Sequence, residues 1–250
     1  MRISVVTAVY NRANTIVQAM ESVRGQTYPD VEHIIQDGGS SDGTLERIVS
    51  MGSGFSLVSE HDNGIYDAIN RGIARASGDV IGLMHSDDYF ADDHILERVT
   101  ALFADSTVDG VYGDLQYVSG ADTDKIVRHW HSGYYMPKML ARGWMPPHPT
   151  LYLRREIFER LGTYDTTFSI AADYDAMLRY LAKGRIKLAY LPEVMVKMRL
   201  GGESNRSVGR IIRKSLEDYR AIKRNGVGGF GTLAAKNLSK ISQFFVKEFT

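Results

Sequence analysis

The first half of the chain alternates between two hydrophobic patterns. Short apolar runs predict four buried strands, at Ile3–Val9, Val31–Asp37, Phe55–Glu60 and Asp79–Met84. Between these runs, apolar residues recur every three or four positions, which predicts helices over Thr15–Arg24, from about Thr44, and over Ile65–Ala76. This alternation predicts βαβ units around a parallel sheet, with ligands bound at the carboxyl ends of its strands.

The second half has a mixed pattern. Residues Val111–Tyr112 and Ile126–Trp130 are typical of strands, and three prolines between positions 146 and 149 predict a stiff loop. The sequence contains no internal repeat, and no linker is evident before about Gly201–Gly202. We therefore expect one continuous domain up to that point.

One further helix is predicted from four apolar residues that share a face, Tyr174, Met177, Leu178 and Leu181. At 100° per residue, Asp173 flanks this apolar stripe and can face inward. Asp175 points away from the stripe, so we expect it in solvent, with Arg179 as a surface ion-pair partner. A lone acid at the start of a helix is more often a cap than a functional group, so a role for Asp173 depends on the rest of the pattern.

Residues 205–250 form a basic, amphipathic tail. One helical face is predicted from Val208, Ile211, Ile212, Leu216 and Tyr219. Four glycines between positions 226 and 231 break this helix, and Leu233–Phe249 predicts a second amphipathic segment. The tail could pack on its own domain, on a partner chain, or on an anionic membrane surface.

Composition narrows the class of protein. With 44% hydrophobic and 24% charged residues in 250 positions, the chain is neither disordered nor of low complexity. The absence of cysteine excludes disulfides, thiolate metal sites and cysteine catalysis. No run of eighteen apolar residues occurs, and polar residues at 11, 12 and 14 interrupt the first apolar stretch. We therefore expect no membrane span and no signal peptide, and a cytoplasmic location.

The formal net charge of zero conceals an uneven distribution. Between positions 205 and 250 there are ten Lys and Arg residues against three Asp and Glu residues, a net charge of +7. The rest of the chain therefore carries −7, because each type totals 30. An acidic body with a basic tail favours a membrane surface or simple solvation for the tail, and we expect no nucleic-acid partner.

Two polar loops follow predicted strands. The first, residues 37–43, reads DGGSSDG and opens a helix, but Ser40 stands where a dinucleotide fingerprint needs glycine, and no P-loop lysine follows. An acid beside a glycine-rich turn could accept a nucleoside, and a helix cap is the alternative. The second loop, residues 85–89, reads HSDDY, and its adjacent acids repel each other unless a cation or donor groups neutralise them. Mg²⁺ or Mn²⁺ commonly takes one or two carboxylates together with substrate phosphates.

Taken together, these residues resemble glycosyltransferase family 2, whose members have the GT-A fold. The resemblance covers roughly residues 1–204. It rests on five stretches in order: ISVVTAVYNRANTI, IIQDGGSSDGT, SEHDNGIYDAINRGIARASGDVIGLMHSDDYF, PHPTLYLRREIFERLGTYDTTFSIAADYDAMLRYL and LGGESNRS. Each stretch is weak alone, whereas five in this order are specific. The chain looks most like bacterial members that build exopolysaccharide, colanic-acid-type and O-antigen repeat units.

The resemblance implies an α/β fold with a Rossmann-like, mostly parallel sheet flanked by helices, followed by a C-terminal amphipathic helical tail. It divides the glycosyltransferase domain, residues 1–204, into a nucleotide-sugar-binding half, 1–105, and an acceptor-binding half, 106–204. The tail then covers residues 205–250.

The resemblance also implies the site residues. Those expected to bind the nucleotide sugar are Thr7, Val9, Tyr10, Asp37, Asp62, Asp87 and His148. Within that set Asp37 would bind the base and Asp87 would face the ribose, while Asp88 would hold the metal. Asp173 takes the place of the catalytic base, although Ala172 stands where the family often has glutamate. His148 and the loop 201–204 would approach the diphosphate or the acceptor.

The implied reaction is a metal-dependent inverting transfer of a hexosyl or N-acetylhexosaminyl group from a nucleotide sugar, expected to be a UDP-sugar. Mn²⁺ or Mg²⁺ would stabilise the leaving diphosphate, and a carboxylate would take the proton of the acceptor hydroxyl. The expected acceptor is a saccharide, linked to polyprenyl diphosphate, in surface polysaccharide biosynthesis. Such an acceptor would bring the enzyme to the inner face of the cell membrane.

Two other classes remain open at this point. A sugar-nucleotidyltransferase can share the fold and a metal-binding acid, but it usually carries a G-x-G-T-R-like signature near the first strand. Here residues 8–12 read AVYNR. A non-catalytic nucleotide-sugar-binding module is the second alternative, and the presence of Asp173 beside the paired acids argues against it, because a binding module needs no base.

Overall fold

A nine-stranded mixed sheet forms the centre of the computed structural model, which describes residues 1–200 and 208–242, with side chains for 1–200 and 209–238. Its strands are β1 (Ile3–Val9), β2 (Val31–Asp37), β3 (Ser56–Ser59), β4 (Val80–Leu83), β5 (Asp88–Phe90), β6 (Gly110–Val118), β7 (Ile126–Trp130), β8 (Tyr152–Arg154) and β9 (Leu188–Arg199). The strand order is β3-β2-β1-β4-β8-β6-β9-β5, and β7 pairs with β6.

Helices cover both faces of this sheet. They are α1 (Ile16–Arg24), α2 (Thr44–Ser50), α3 (Ile65–Arg75), α4 (Ile95–Leu102), α5 (Arg155–Leu161), α6 (Ala172–Leu178), α7 (Val208–Arg224) and α8 (Phe230–Ser242). A π-helical turn, Arg179–Lys183, continues α6. No helix among the described residues is long and apolar enough to cross a bilayer.

The four strands predicted for the first half are confirmed, and they are parallel. β1 lies between β2 and β4, with Thr7 opposite Ile35 and Ile3 opposite Val80. Their carboxyl ends therefore meet at one edge, and the loops after them come together. The β7 prediction is also confirmed. The long strand β9 is not among the predicted strands, although it pairs with β5 and β6 and carries Arg199 into the site.

Helix α3 is the amphipathic helix that the spacing of residues 65–76 predicts. Its buried positions Ala68, Ile69, Gly72 and Ile73 face the sheet. Gly72 allows the close approach, because a Cβ there would lie 2.3 Å from Val6 Cγ1. This packing fixes the start of α3, where Tyr66 points toward the second half of the chain.

The described part of the tail packs on the domain, but not by the face predicted for it. The buried side chains of α7 include Asp218, Ala221, Ile222 and Asn225. The predicted apolar face points outward instead: Ile211, Ile212, Leu216 and Tyr219 are 53%, 56%, 65% and 38% exposed. The side of α7 that meets the domain thus combines the core residues Ala221 and Ile222 with the buried, hydrogen-bonded Asp218.

Asp175 requires a correction for the same reason. It was expected at the surface, yet it is fully buried, and its Oδ1 accepts a hydrogen bond of 2.9 Å from Asn225 Nδ2 on α7. Its other partner is Arg179, whose Nε lies 3.8 Å from Asp175 Oδ2 and whose side chain is only 17% exposed. A helical wheel describes one helix and does not show which other elements pack against it. Here the end of α7 covers the side of α6 that the wheel assigns to solvent.

Candidate active site

The loops after β1 and β2 are tied together by hydrogen bonds. Asn11 has a positive φ of 51°, which aims its side chain at the second loop. Its Oδ1 accepts the Ser41 N–H at 2.9 Å, and its own N–H donates to Ser40 Oγ at 2.8 Å. Arg12 N–H donates to Thr44 Oγ1 at 2.7 Å in the same way. These contacts build one continuous rim at the carboxyl edge of the sheet.

Asp37 organises this rim from within. It is fully buried, and its Oδ2 accepts hydrogen bonds from the N–H groups of Gly39 and Ser40, each at 3.1 Å, and from Ser59 Oγ at 2.6 Å. Its Oδ1 accepts the Ser40 hydroxyl at 2.5 Å. Both oxygens of Asp37 thus shape its own loop, and the expected contact with a nucleobase stays a prediction.

Asp62 reaches the same rim from the loop after β3. A Cβ at Gly38 would lie 2.3 Å from Asp62 Oδ2, so glycine is needed for the two loops to touch. Asp62 Oδ1 also accepts the Gly64 N–H at 2.8 Å, just before α3 begins. The partly exposed carboxylate of Asp62 thus lies where the donor was expected.

Three residues in or just after β1 were expected to line the nucleotide pocket, and two of them are buried while one is exposed. Thr7 is fully buried, and its hydroxyl lies 3.0 Å from His33 Nε2. Val9 is 3% exposed and packs in an apolar cluster. Tyr10 is 57% exposed at the rim. Only Tyr10 presents its side chain to a ligand, whereas Thr7 and Val9 support the strand from beneath.

The paired acids after β4 have opposite surroundings. The side chain of Asp87 is 28% exposed, and its Oδ2 lies 3.8 Å from Arg12 Nε. Asp88 is 1% exposed and belongs to β5, where its Oδ1 accepts the Arg199 N–H at 3.2 Å. Burial, together with the neighbouring charge of Asp87, raises the pKa of Asp88 well above its usual range. Asp87 is therefore the acid that faces the cleft, and Asp88 lies beneath it.

A divalent cation fits one of these acids better than the other. No group of three or more His, Asp or Glu side chains within residues 1–200 and 209–238 could hold a metal without other ligands. Mg²⁺ and Mn²⁺ need only one or two carboxylates when substrate phosphates complete the shell. Asp87 is accessible for this purpose. Asp88 Oδ2 has no hydrogen-bond partner in the described chain, but it is buried, so Asp88 would have to turn outward to become the expected ligand.

Asp173, the expected base, lies in a cluster built from both halves of the chain. Tyr66 Oη lies 3.2 Å from Asp173 Oδ1 and 2.7 Å from the carbonyl oxygen of Ile170. The Tyr66 ring stacks on Tyr164 at 5.9 Å, and Tyr164 Oη lies 2.8 Å from His148 Nε2. Asn70 on α3 secures this loop through both the N–H and the carbonyl of Tyr164.

His85 joins this cluster to the acids after β4. Its ring centroid lies 5.6 Å from that of His148. Burial lowers the pKa of His85, and the nearby charges of Asp87 and Asp173 both raise it, without overcoming the effect of burial. Burial also lowers the pKa of His148 to about 4. Both imidazoles are therefore neutral near pH 7, and His85 lies close to both Asp87 and Asp173.

Sequence reasoning did not single out several of these residues. His85 is the first residue of the HSDDY loop, so its position was a usable signal. Tyr66 lies on the predicted helix α3, Tyr164 lies in a loop, and Arg199 lies on β9, which was not predicted. No local sequence pattern distinguishes these three residues. The loop 201–204, expected near the diphosphate or acceptor, lies outside the described residues.

Comparison with known proteins identifies the family. Residues 4–173 match the model for Glycosyl transferase family 2. The chain belongs to this family. It is similar to an uncharacterized glycosyltransferase of Mycobacterium tuberculosis, with 34% identity over 181 residues that cover 71% of this chain and 68% of that protein.

Solved structures of glycosyltransferases share the fold. Mannosyltransferase PcManGT from Pyrobaculum calidifontis, in complex with GDP-Man and Mn²⁺, is 20% identical, with a TM-score of 0.67 over 94% of this chain and 68% of that one. S. aureus TarS 1-349 in complex with UDP-GlcNAc is 16% identical, with a TM-score of 0.66 over 91% of this chain and 66% of that one. This chain spans 44% of the longer TarS chain.

These likenesses establish the family-2 glycosyltransferase as an α/β enzyme with the GT-A fold. The predicted fold class and enzyme class are confirmed. The nucleotidyltransferase and the binding module are no longer needed as alternatives, because the family of the chain is that of sugar-transferring enzymes.

Proposed function

We propose that this glycosyltransferase moves a hexosyl or N-acetylhexosaminyl group, with inversion, from a UDP-sugar to a hydroxyl of a lipid-linked saccharide. The observation that carries the proposal is a chain of contacts from the loop of Asp87 to Asp173. The His85 ring lies 5.6 Å from the His148 ring, and His148 contacts Tyr164. Tyr164 stacks on Tyr66, whose hydroxyl lies 3.2 Å from Asp173 Oδ1. These contacts join two carboxylates from different halves of the chain. An inverting transfer needs a carboxylate-bound cation, whose positive charge stabilises the leaving diphosphate, and a separate carboxylate as base at the acceptor hydroxyl.

We assign these tasks by accessibility. Asp87, rather than Asp88, would hold Mn²⁺ or Mg²⁺, which supplies positive charge to the departing diphosphate. Arg12 lies beside Asp87 and adds a second positive group at the same place. Tyr10 and Asp62 are the rim residues placed to contact the nucleoside.

Asp173 would take the proton of the acceptor hydroxyl as that oxygen bonds to the anomeric carbon and the bond to the diphosphate breaks. The neighbouring histidines would not compete for this proton near pH 7, because burial lowers the pKa of both. They line the cleft and exclude water. The choice of a UDP-sugar rests on the complex of TarS with UDP-GlcNAc, while the GDP-Man complex of PcManGT makes GDP-mannose the second donor to test.

A screen of donors tests this proposal. The full chain is incubated with UDP-glucose, UDP-N-acetylglucosamine, UDP-galactose or GDP-mannose, with Mn²⁺, Mg²⁺ or a chelator. We expect nucleoside diphosphate to be released from one UDP-sugar, only with metal, and not by Asp173→Asn. Release of pyrophosphate, or release that the chelator leaves unchanged, would contradict the assignment.

The outer face of α7 favours a peripheral membrane location for this reaction. Ile212, Leu216 and Tyr219 are exposed there, Lys223 follows on the same side, and Arg213 is exposed elsewhere on the helix. Apolar side chains flanked by basic ones are typical of helices that lie in an anionic lipid surface, where each basic residue contributes about 1 kcal/mol. A polyprenyl-diphosphate-linked acceptor of surface polysaccharide synthesis would be met at such a surface.

Vesicle binding tests this location. The full chain should sediment with vesicles that contain phosphatidylglycerol and not with phosphatidylcholine alone, and salt should weaken the binding. Leu216→Glu should abolish it. Val49→Glu on α2, another exposed apolar position, is the matched control and should bind as the wild type does. Equal binding by both variants would remove α7 from the proposal.

A further inference from the structure

The helix that carries Asp173 has no capping residue of its own. Helices commonly begin with Ser, Thr, Asp or Asn, whose side chain accepts a free backbone N–H. At α6 this position is Ala171, which offers no such acceptor. The three backbone N–H groups of residues 169–171 would be left without partners if the chain before α6 were considered alone.

Glu217 of the tail holds the three residues that lead into α6. Its Oε2 accepts the N–H groups of Ile170 at 2.8 Å and Ala171 at 3.0 Å, and its Oε1 accepts the Ser169 N–H at 3.1 Å. Three donors on one carboxylate make charge-assisted hydrogen bonds, which are stronger than bonds between neutral groups. A residue 46 positions downstream of Ala171 therefore fixes the backbone at the point where α6 begins.

The same peptide groups are held from the opposite side by Tyr66. Its hydroxyl donates to the carbonyl oxygen of Ile170 at 2.7 Å, while the N–H of Ile170 donates to Glu217. Asp173 follows two residues after Ala171. We infer that Glu217 is a positioning residue for Asp173. This inference rests on the proposed role of Asp173 as the base.

Helix α7 is fixed well enough to serve this purpose. Asp218, next to Glu217, is buried and accepts Lys236 Nζ of α8 at 2.7 Å and Lys214 Nζ at 3.0 Å. One turn further on, Arg224 forms an ion pair with Asp165, and Asn225 contacts Asp175. The described part of the tail thus belongs to the catalytic unit, and a boundary drawn at residue 204 would separate the base from its support.

Variants of the full chain test this role. Glu217→Ala removes all three acceptor bonds, and Glu217→Gln keeps one oxygen that can accept. Arg224→Gln is the matched control, because it breaks an ion pair between the same helix and the domain without touching residues 169–171. For each variant we would measure amide hydrogen exchange at 169–171, Tm, and kcat and KM for nucleoside diphosphate release from UDP-N-acetylglucosamine or GDP-mannose with Mn²⁺.

A positioning role predicts a split between kcat and KM. Glu217→Ala should exchange faster at 169–171 and lose about tenfold in kcat, with KM for the donor within about twofold of wild type. The kcat of Glu217→Gln should lie between those of Glu217→Ala and the wild type. Arg224→Gln should keep the wild-type kcat. The role is overturned if Glu217→Ala and Arg224→Gln have the same kcat. It is also overturned if KM rises as much as kcat falls.

Asp173→Asn separates this inference from the proposed function. If Asp173→Asn is inactive while Glu217→Ala turns over at the wild-type rate, the base assignment stands and the positioning role fails. If Asp173→Asn keeps its activity, the base is elsewhere and the proposed mechanism itself fails.

Discussion

Tyr66 Oη lies 3.2 Å from Asp173 Oδ1, across 107 positions of sequence. The hydroxyl stays protonated at any working pH, because burial, and next the charge of Asp173, raise the pKa of Tyr66 well above its usual range. Its single proton is directed to the Ile170 carbonyl oxygen, the nearer acceptor at 2.7 Å, or to the carboxylate at 3.2 Å. This contact connects the start of α3, in the donor half, with the helix that carries the expected base.

Tyr66→Phe removes this hydroxyl and keeps the ring that stacks on Tyr164. One hydrogen bond of this kind contributes about 1 kcal/mol, so we expect turnover to fall by roughly 5- to 10-fold. The donor pocket is untouched, so the affinity for UDP with Mn²⁺ should not change. Steady-state kinetics and calorimetry measure the two effects. Weaker UDP binding at unchanged turnover would mean that Tyr66 serves the donor and not Asp173.

Asp173→Asn keeps the shape of the side chain but cannot take a proton from the acceptor hydroxyl. Turnover should fall by roughly 10²- to 10⁴-fold, and KM for the donor should barely move, because the lost interaction is made mainly in the transition state. Rates of nucleoside diphosphate release, measured with enzyme shown to be folded by circular dichroism, check this expectation.

Asp175→Asn is the informative comparison, and its expected result follows from its burial. The variant should keep turnover at 20 °C, because Asp175 does not face the cleft. It should lower Tm, because Asp175 is buried and its hydrogen bond with Asn225 joins α6 to the residue that follows α7. If Asp175→Asn were inactive and Asp173→Asn active, the base would be assigned to the wrong acid of α6.

Asp87 and Asp88 give opposite expectations for metal binding. Asp87→Asn should weaken Mn²⁺-dependent UDP binding at least tenfold, because a neutral amide is a poor ligand for a hard cation. Asp88→Asn keeps an oxygen for the Arg199 N–H and removes a charge that burial disfavours, so nucleotide affinity should stay close to wild type. Calorimetry with UDP and Mn²⁺ distinguishes them. The reverse outcome would restore Asp88 as the ligand and require it to turn into the cleft.

The parallel half of the sheet could be predicted because each strand is a short apolar run followed by an amphipathic helix. Strand β9 could not, because Pro192, Glu193 and Lys197 interrupt its apolar pattern. Its pairing with β6 and β5 compensates for this interruption. Tertiary pairing, which the local pattern does not contain, decides the structure of that segment.

The candidate site also has features that the sequence predicts and features that depend on residues far away along the chain. The places of Asp87, after the end of β4, and of Asp173, in the first turn of α6, could be predicted from the sequence, and their roles stay predictions. The burial of Asp37 and Asp175 could not, because it depends on Ser59 and Asn225, which lie 22 and 50 positions away. For α7, an apolar stripe suggested the buried face, yet the buried face carries Asp218 together with Ala221 and Ile222. The hydrogen bonds of Asp218 and the packing of Ala221 and Ile222 in the core hold this face against the domain.

The buried histidines give the enzyme a pH-dependent stability. Burial lowers the pKa of both His33 and His148 to about 4, against an ordinary value of about 6.5 in the unfolded chain. Between these two values the unfolded state binds more protons than the folded state. The stability from neutral histidine is therefore fully present above pH 6.5 and is lost as the pH falls toward 4, at up to about 1.4 kcal/mol per pH unit for each histidine.

His33→Gln tests this expectation away from the active site, since His33 is 6% exposed and contacts Thr7 beneath the sheet. Glutamine keeps a polar group for the Thr7 hydroxyl but does not titrate. Urea unfolding at several pH values between 7.5 and 4.5 should give the variant a shallower loss of unfolding free energy, by about 1 kcal/mol per pH unit. The wild-type chain, measured in parallel, gives the reference slope. If His33→Gln also kept that slope, His33 would be protonated in the folded enzyme, and water or a rearranged loop would have to reach the interior beside Thr7.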